Sequence, residues 1–283
     1  MQQSDLASRD AGYADLAGRL EHLCQRLPGS ADLRRRVDDL HGPLRVAVVG
    51  RFGTGRDTLA RALRRCFDVT PIGPGDDATD ADAWLHVLAG WARPDDLVAI
   101  ERLDPRRSLV VLGKADSLGS WPAARRRAAE CAELLGRPVV ALMPLLAVAD
   151  LHEDDLDFLA TLARSGESVP PMQAMFIDAG GPHQRLSRIS LLRSLDAYGI
   201  ACAISLFANG PIAADDLAEQ LDARSGLRAL TEALDEIADR ASRLRLRRVA
   251  DELELLAAQG MLRDEVEHLL AGSMLAGSVE AAR

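Results

Sequence analysis

An α/β protein with a parallel sheet and an additional α-helical part is what this 283-residue sequence predicts. Three observations predict it. Short Val- and Leu-rich runs alternate with helix-period segments between residues 43 and 149. From about residue 150 the strand signal nearly disappears and helix-period segments follow one another to the end. Between the first apolar run and the first helix after it stands a glycine-rich stretch, GRFGTGRDT (50–58).

In chain order, residues 4–26 read as an amphipathic helix, with Leu6, Tyr13, Leu16, Leu20 and Leu23 at helical spacing. Pro28 and Gly29 break it, and Ser30 can cap a second, short helix. LRVAVVG (44–50), WLHVLAG (84–90), SLVVLG (108–113) and RPVVALMPLLA (137–147) read as strands, with helices over 57–66, 94–102 and 120–135. Strands that alternate with helices of this length imply a parallel sheet covered on both faces. Beyond it, VPPMQAMFIDAGGP (169–182) reads as a loop or hinge between helices. The domains expected are 1–41, N-terminal helices joining the helical unit; 43–149, the α/β domain; and 150–283, the α-helical domain.

Composition narrows the functional classes. A net charge of −9 argues against general attraction to nucleic acid or anionic lipid. Cys24, Cys66, Cys131 and Cys202 are scattered without a C-x-x-C pair, which suits reduced, mostly buried thiols in a cytoplasm. The N-terminal stretch lacks the apolar core of a signal peptide, and the apolar run 197–208 is short for a bilayer span. The expected location is cytoplasmic, with peripheral contact to the inner membrane as the finer reading. Only one of the 34 basic residues is Lys, at position 114, and Asn209 is the only Asn. Codons for both are A-rich, so an Arg where a motif expects Lys is weak evidence of lost function.

Gly50, Gly55 and a basic residue opening a helix have the spacing of a phosphate-binding loop. In such a loop, backbone N–H groups and the helix dipole hold the phosphates. The candidate phosphate-binding residues are Gly50, Gly53, Gly55, Arg56, Asp57 and Thr58. Arg56 keeps the charge of the usual Lys but not its compact ammonium. Asp57 replaces the hydroxyl that would bind Mg²⁺, and its carboxylate is expected to occupy the anion position of its own loop. Thr58 would serve a metal only if the loop slipped by one residue. The alternative is a glycine-rich strand-to-helix turn with no ligand. A second motif, LVVLGKADSLG, presents Gly113-Lys114-Ala115-Asp116 where GTPases carry Asn-Lys-x-Asp. There the Asp accepts hydrogen bonds from guanine and the Lys stem lies over the base; Lys114 and Asp116 are the candidate base readers.

Together these elements resemble bacterial dynamin-like GTPases. GRFGTGRDT is similar to their G-x-F-x-x-G-K-S/T loop, including Phe52. ADAWLHVLAG resembles the strand after their second switch, and LGKADSLGSWPAARRRAAECAELLGRPVVALMPLLA their guanine-recognition strand, helix and closing strand. LLRSLDAYGIACAISLFANGPIAADDLAEQLDARSGLRAL resembles the helical part of the actinobacterial, isoniazid-inducible type. The likeness covers roughly residues 43–250 and implies a P-loop GTPase-like parallel sheet with a helical bundle domain. Only 17 residues separate Cys66 from Trp84, too few for switch I, a second strand and a D-x-x-G switch. TPIGPGDD (70–77) is the one candidate remnant of that segment.

The resemblance therefore implies a shortened pseudo-GTPase that acts as a regulatory or structural subunit. No cofactor is required; GTP or GDP is what the two motifs would take, and Mg²⁺ lacks its hydroxyl. The partner expected is a protein, an intact dynamin-like GTPase or a second copy of the chain, and no nucleic acid. A slow active GTPase or nucleotide-gated switch using Arg56, Thr58, Lys114 and Asp116 is the alternative. A helix-turn-helix regulator built on ANGPIAADDLAEQLDARSGLRALTEAL is the third. Arg240, Arg243, Arg245, Arg247 and Arg248 form a solvated helix face or a surface for anionic lipid or a partner. The six His show no metal-ligand spacing with the Cys.

Overall fold

The computed structural model describes residues 18–26, 31–40, 42–170 and 172–271. They fall into two compact units, one of residues 1–43 with 238–283 and one of residues 44–237. The expected break near residue 150 is not where the units divide: the helices from 150 to 237 group with the sheet.

In the larger unit, five strands form one sheet: β1 (Leu44–Gly50), β2 (Val69–Ile72), β3 (Ala83–Ala89), β4 (Ser108–Gly113) and β5 (Val139–Ala141). Their order is β2-β1-β3-β4-β5 and every pairing is parallel. All five carboxyl ends therefore lie on one edge. Chain order reverses between β1 and β3, the place where open parallel sheets form ligand crevices. β1 alternates between faces: Ala47 and Val49 cluster with Ile72, Ala78, Ala81 and Trp84 on one of them. That cluster contains the connection from β2 to β3, which crosses β1 without a helix. Parallel neighbours are ordinarily joined through a helix.

The remaining helices of this unit are α3 (Arg56–Cys66), α4 (Pro94–Glu101), α5 (Trp121–Leu135), α6 (Pro144–Ala147), α7 (Glu153–Arg164), α8 (Gln173–Ala179), α9 (Gly181–Ala208) and α10 (Ala214–Asp222). Ser120 caps α5 by accepting from the Ala123 N–H at 3.3 Å. Buried apolar residues of β3, β4 and α4 to α10 form one continuous core, from Leu88 and Leu112 to Phe176, Leu195 and Leu221. Buried Arg188 of α9 crosses this core, donating to Glu167 at 2.8 Å and to the Phe176 carbonyl at 3.1 Å. By length and composition α9 could cross a membrane, yet Leu191, Leu195, Ile200 and Ala203 are buried in this core. Its backbone breaks at Asp196.

Three local expectations are corrected. The stretch 137–147 is a three-residue strand followed by α6, because Pro144 lacks an N–H for the sheet and suits the first turn of a helix. TPIGPGDD supplies the edge strand β2, where Pro71 is tolerated as it would not be in the sheet centre. Residues 173–179 are helical rather than a hinge, anchored by fully buried Phe176. Of the four thiols, Cys24 and Cys131 are buried, Cys202 is half-buried and Cys66 is exposed.

In the smaller unit, the described part of α1 (18–26), α2 (Ala31–Leu40), α11 (Thr231–Ala258) from residue 238 onward and α12 (Arg263–Ala271) share a core. Leu20, Leu23, Leu33, Val37, Leu246, Val249, Leu253, Val266 and Leu269 fill it. Leu6, Tyr13, Leu16, Pro28, Gly29 and Ser30 lie outside the described residues. Arg245 is buried and donates to the carbonyls of Asp39, Gly42 and Pro43 at 2.7–3.0 Å, which satisfies the end of α2. It therefore leaves the basic face assigned to it, whereas Arg243, Arg247 and Arg248 are exposed.

Candidate functional site

β1 delivers the chain to the switch-point edge at Gly50, and α3 begins at Arg56. A side chain at Gly50 would have its Cβ 2.6 Å from the Val87 carbonyl oxygen, and φ is +137°. Glycine here is dictated by the close approach of β3. Phe52 and Gly53 form the loop tip, with Phe52 97% exposed. Thr54 turns inward, 1% exposed, and its hydroxyl donates to the Arg51 carbonyl at 2.9 Å. Gly55 is the residue before α3 and has no side chain to cap it, so no side chain accepts from the first-turn N–H groups. Arg56 and Thr58 are partly exposed on that first turn.

Asp57 does not fill the loop. It is exposed, in the first turn rather than at the cap, and its carboxylate caps nothing. An internal substitute for phosphate is thereby removed from the account, and the donor end of α3 stays open.

The second motif lies against the first. A Cβ on Gly113 would sit 2.9 Å from the Val87 side chain and 3.0 Å from the Thr54 carbonyl oxygen. The place of the usual Asn is thus taken by the loop's own backbone. Lys114 has a left-handed backbone, φ +52°, and its carbon stem runs 3.7 Å from the Cβ position of Gly55. Ser117 ties the turn, donating its hydroxyl to the Lys114 carbonyl at 2.7 Å. Asp116 faces Asp196 at the break in α9. Burial first, and then the neighbouring Asp196 charge, push the Asp116 carboxyl above the ordinary range; its own backbone N–H and Lys114 act against this.

Sequence reasoning missed what lies beneath the loop. Arg51 donates from Nε to both Asp96 oxygens at 3.2 and 3.1 Å, and His86 Nε2 stands 3.1 Å from Asp96 Oδ1. Asp96 also accepts from the Arg93 N–H at 2.9 Å, at the start of α4. Burial alone would raise the Asp96 carboxyl, but these hydrogen bonds and the Arg51 charge hold it below the ordinary range. Burial pushes His86 down, against the pull of Asp96, so its imidazole stays neutral. Polar residues inside the apolar strand run (His86) and at the start of a helix (Asp96) were the visible signal. Only the fold brings them to the loop.

The arrangement can present backbone donors to an anion beside one ammonium. Asp57 stands at the position of the usual metal hydroxyl, and no group of three or more His, Cys, Asp or Glu side chains is gathered for a metal among the described residues. No protein-family model matches the chain, and no curated protein matches it. What defines its class is the all-parallel α/β sheet with a glycine loop at its switch point.

Proposed function

We propose that the chain is a pseudo-GTPase of the dynamin-like type, a regulatory or structural subunit that keeps the shape of a nucleotide site without hydrolysis. The observation that carries this reading is the meeting of the two motifs: the Lys114 stem packs beside Gly55 at the carboxyl edge of the sheet. Residues 55 and 114 are far apart in sequence, and their meeting is what a phosphate loop and a base-reading turn require. Three further observations favour loss of turnover. The β2-to-β3 connection has no helix and no room for a switch, Asp57 stands in place of the metal hydroxyl, and Asp116 faces another carboxyl.

A nucleotide-gated switch is the second reading, favoured by the uncapped first turn of α3. Nothing favours the helix-turn-helix reading: its candidate recognition segment begins as a 3-10 turn, Leu227–Leu230, with Leu227 and Leu230 buried. Calorimetric titration with GTP, with and without Mg²⁺, separates the first two. A subunit gives weak or metal-independent binding and co-purifies with a second GTPase from its host. Micromolar, Mg²⁺-dependent binding by a chain that elutes alone as a monomer overturns the subunit reading.

A further inference from the structure

One carboxylate holds both the loop after β1 and the sheet beneath it. Asp96, buried at the start of α4, accepts from Arg51 Nε at 3.1 and 3.2 Å and stands 3.1 Å from His86 Nε2. An ionised carboxylate can only accept, so Nε2 carries the ring proton and the neutral imidazole keeps its lone pair on Nδ1. That Nδ1 is buried and has no hydrogen-bond partner among the described residues. The same is true of Arg51 Nη2, so the guanidinium grips Asp96 through Nε. The two bases differ in their freedom to move. His86 is 3% exposed in β3, between Val49 of β1 and Val110 of β4 in the sheet register. Arg51 lies on the loop, with 24% of its side chain exposed. We propose that His86 and Arg51 compete for Asp96, so that acid hands the carboxylate to the histidine and releases the loop from α4.

A proton on Nδ1 makes a buried donor without an acceptor and puts a second cation beside one carboxylate. The cation that can reach water is Arg51, and its departure admits water to the ring. His86 then keeps Asp96 as a charged pair, while Arg51, Phe52 and Gly53 lose their tie to α4. The charged groups facing His86 are Asp96 of α4 and Arg51 of the loop. Its strand neighbours are apolar, and Cys131 of α5, which also senses the Asp96 charge, is kept neutral by burial. Burial first, and the Arg51 charge with it, push the imidazole below its ordinary value against the pull of Asp96. The unfolded chain therefore takes the proton first. The contribution of the tie is complete above about 6.5 and is lost as pH falls through the lower folded value. Asp96, held below the ordinary carboxylate range, stays ionised throughout. None of this needs a nucleotide.

The test follows two amides of the ligand-free chain by hydrogen exchange, corrected for intrinsic rate, from pH 7.5 to 5.0. The Thr54 N–H donates to the Arg51 carbonyl at 3.4 Å and reports the loop. The Leu142 N–H donates to the Leu112 carbonyl at 2.9 Å and reports the sheet. Thr54 protection should fall about tenfold while Leu142 stays level, with the midpoint on the His86 imidazole titration followed by NMR. His86→Gln, which puts an amide in place of the titrating ring, should keep Thr54 protection level over the same range. If that variant does not fold, the coincidence of the two midpoints in wild type decides. Level Thr54 protection in wild type, or a fall whose midpoint departs from the imidazole titration, overturns the exchange of partners. So does a fall shared by Leu142 or by His86→Gln.

Discussion

At the carboxyl edge of the sheet, the loop after β1 leaves the first turn of α3 without a cap, whereas the turn after β4 packs Gly113 against that loop and buries Ala115. Gly55 offers no capping group, Asp57 looks into solvent, and Phe52 stands clear of the protein. Across from it, the Thr54 carbonyl fills the space beside Gly113, and Asp116 is half-buried. The difference teaches that the two halves of one nucleotide site have separate physical requirements. An anion end needs only backbone donors in the right geometry. A base-reading end needs an ionised carboxylate, and here burial and the Asp196 charge disfavour that form of Asp116.

The comparison breaks most severely if the support under the open loop is removed. Asp96→Ala leaves Arg51 and buried His86 without their shared partner and should cost about 3–5 kcal/mol, read from denaturant unfolding. Because the Asp96 carboxyl is held low, this deficit is full above the ordinary carboxyl value and shrinks as pH falls through the folded one. An unchanged midpoint would mean the loop does not lean on α4. Next, Gly50→Ala meets the Val87 carbonyl at 2.6 Å and should cost about 1–3 kcal/mol without any ligand. A neutral result would return that glycine to a purely ligand-related role.

The turn after β4 is sharpened by Asp116→Ala. Because burial and Asp196 disfavour its ionised form, any bound GTP or GDP should weaken no more than ATP. A loss for GTP about tenfold larger than for ATP, about 1.4 kcal/mol by competition, would show that Asp116 reads the base. The smallest effect is expected at the open end. Asp57→Ser gives up a carboxylate near the helix dipole, about 0.3–1 kcal/mol, while inorganic phosphate binds more tightly. A variant that binds phosphate no better shows that the carboxylate does not repel it.

Much of this edge was legible in the sequence. GRFGTGRDT gave away the strand-to-helix turn because glycine spacing and a following helical period are local signals. The same holds for β1, β3, β4 and α5. The four residues of β2 and the seven of α8 were not legible, since so short a segment shows no period and each owes its form to a neighbour: β1 for one, buried Phe176 for the other. The partners of Asp96 and Asp116 were equally hidden. Arg51 and Asp96 are 45 residues apart, and Asp196 looks like an ordinary polar position in an apolar helix. Only packing turns it into the neighbour of the K-x-D turn.

The central claim, a nucleotide-site shape without turnover, is tested most directly by phosphate release from GTP in the presence of Mg²⁺. The account predicts release no faster than a buffer blank, for wild type and Asp116→Ala alike. Release above the blank that disappears on Asp116→Ala would contradict it.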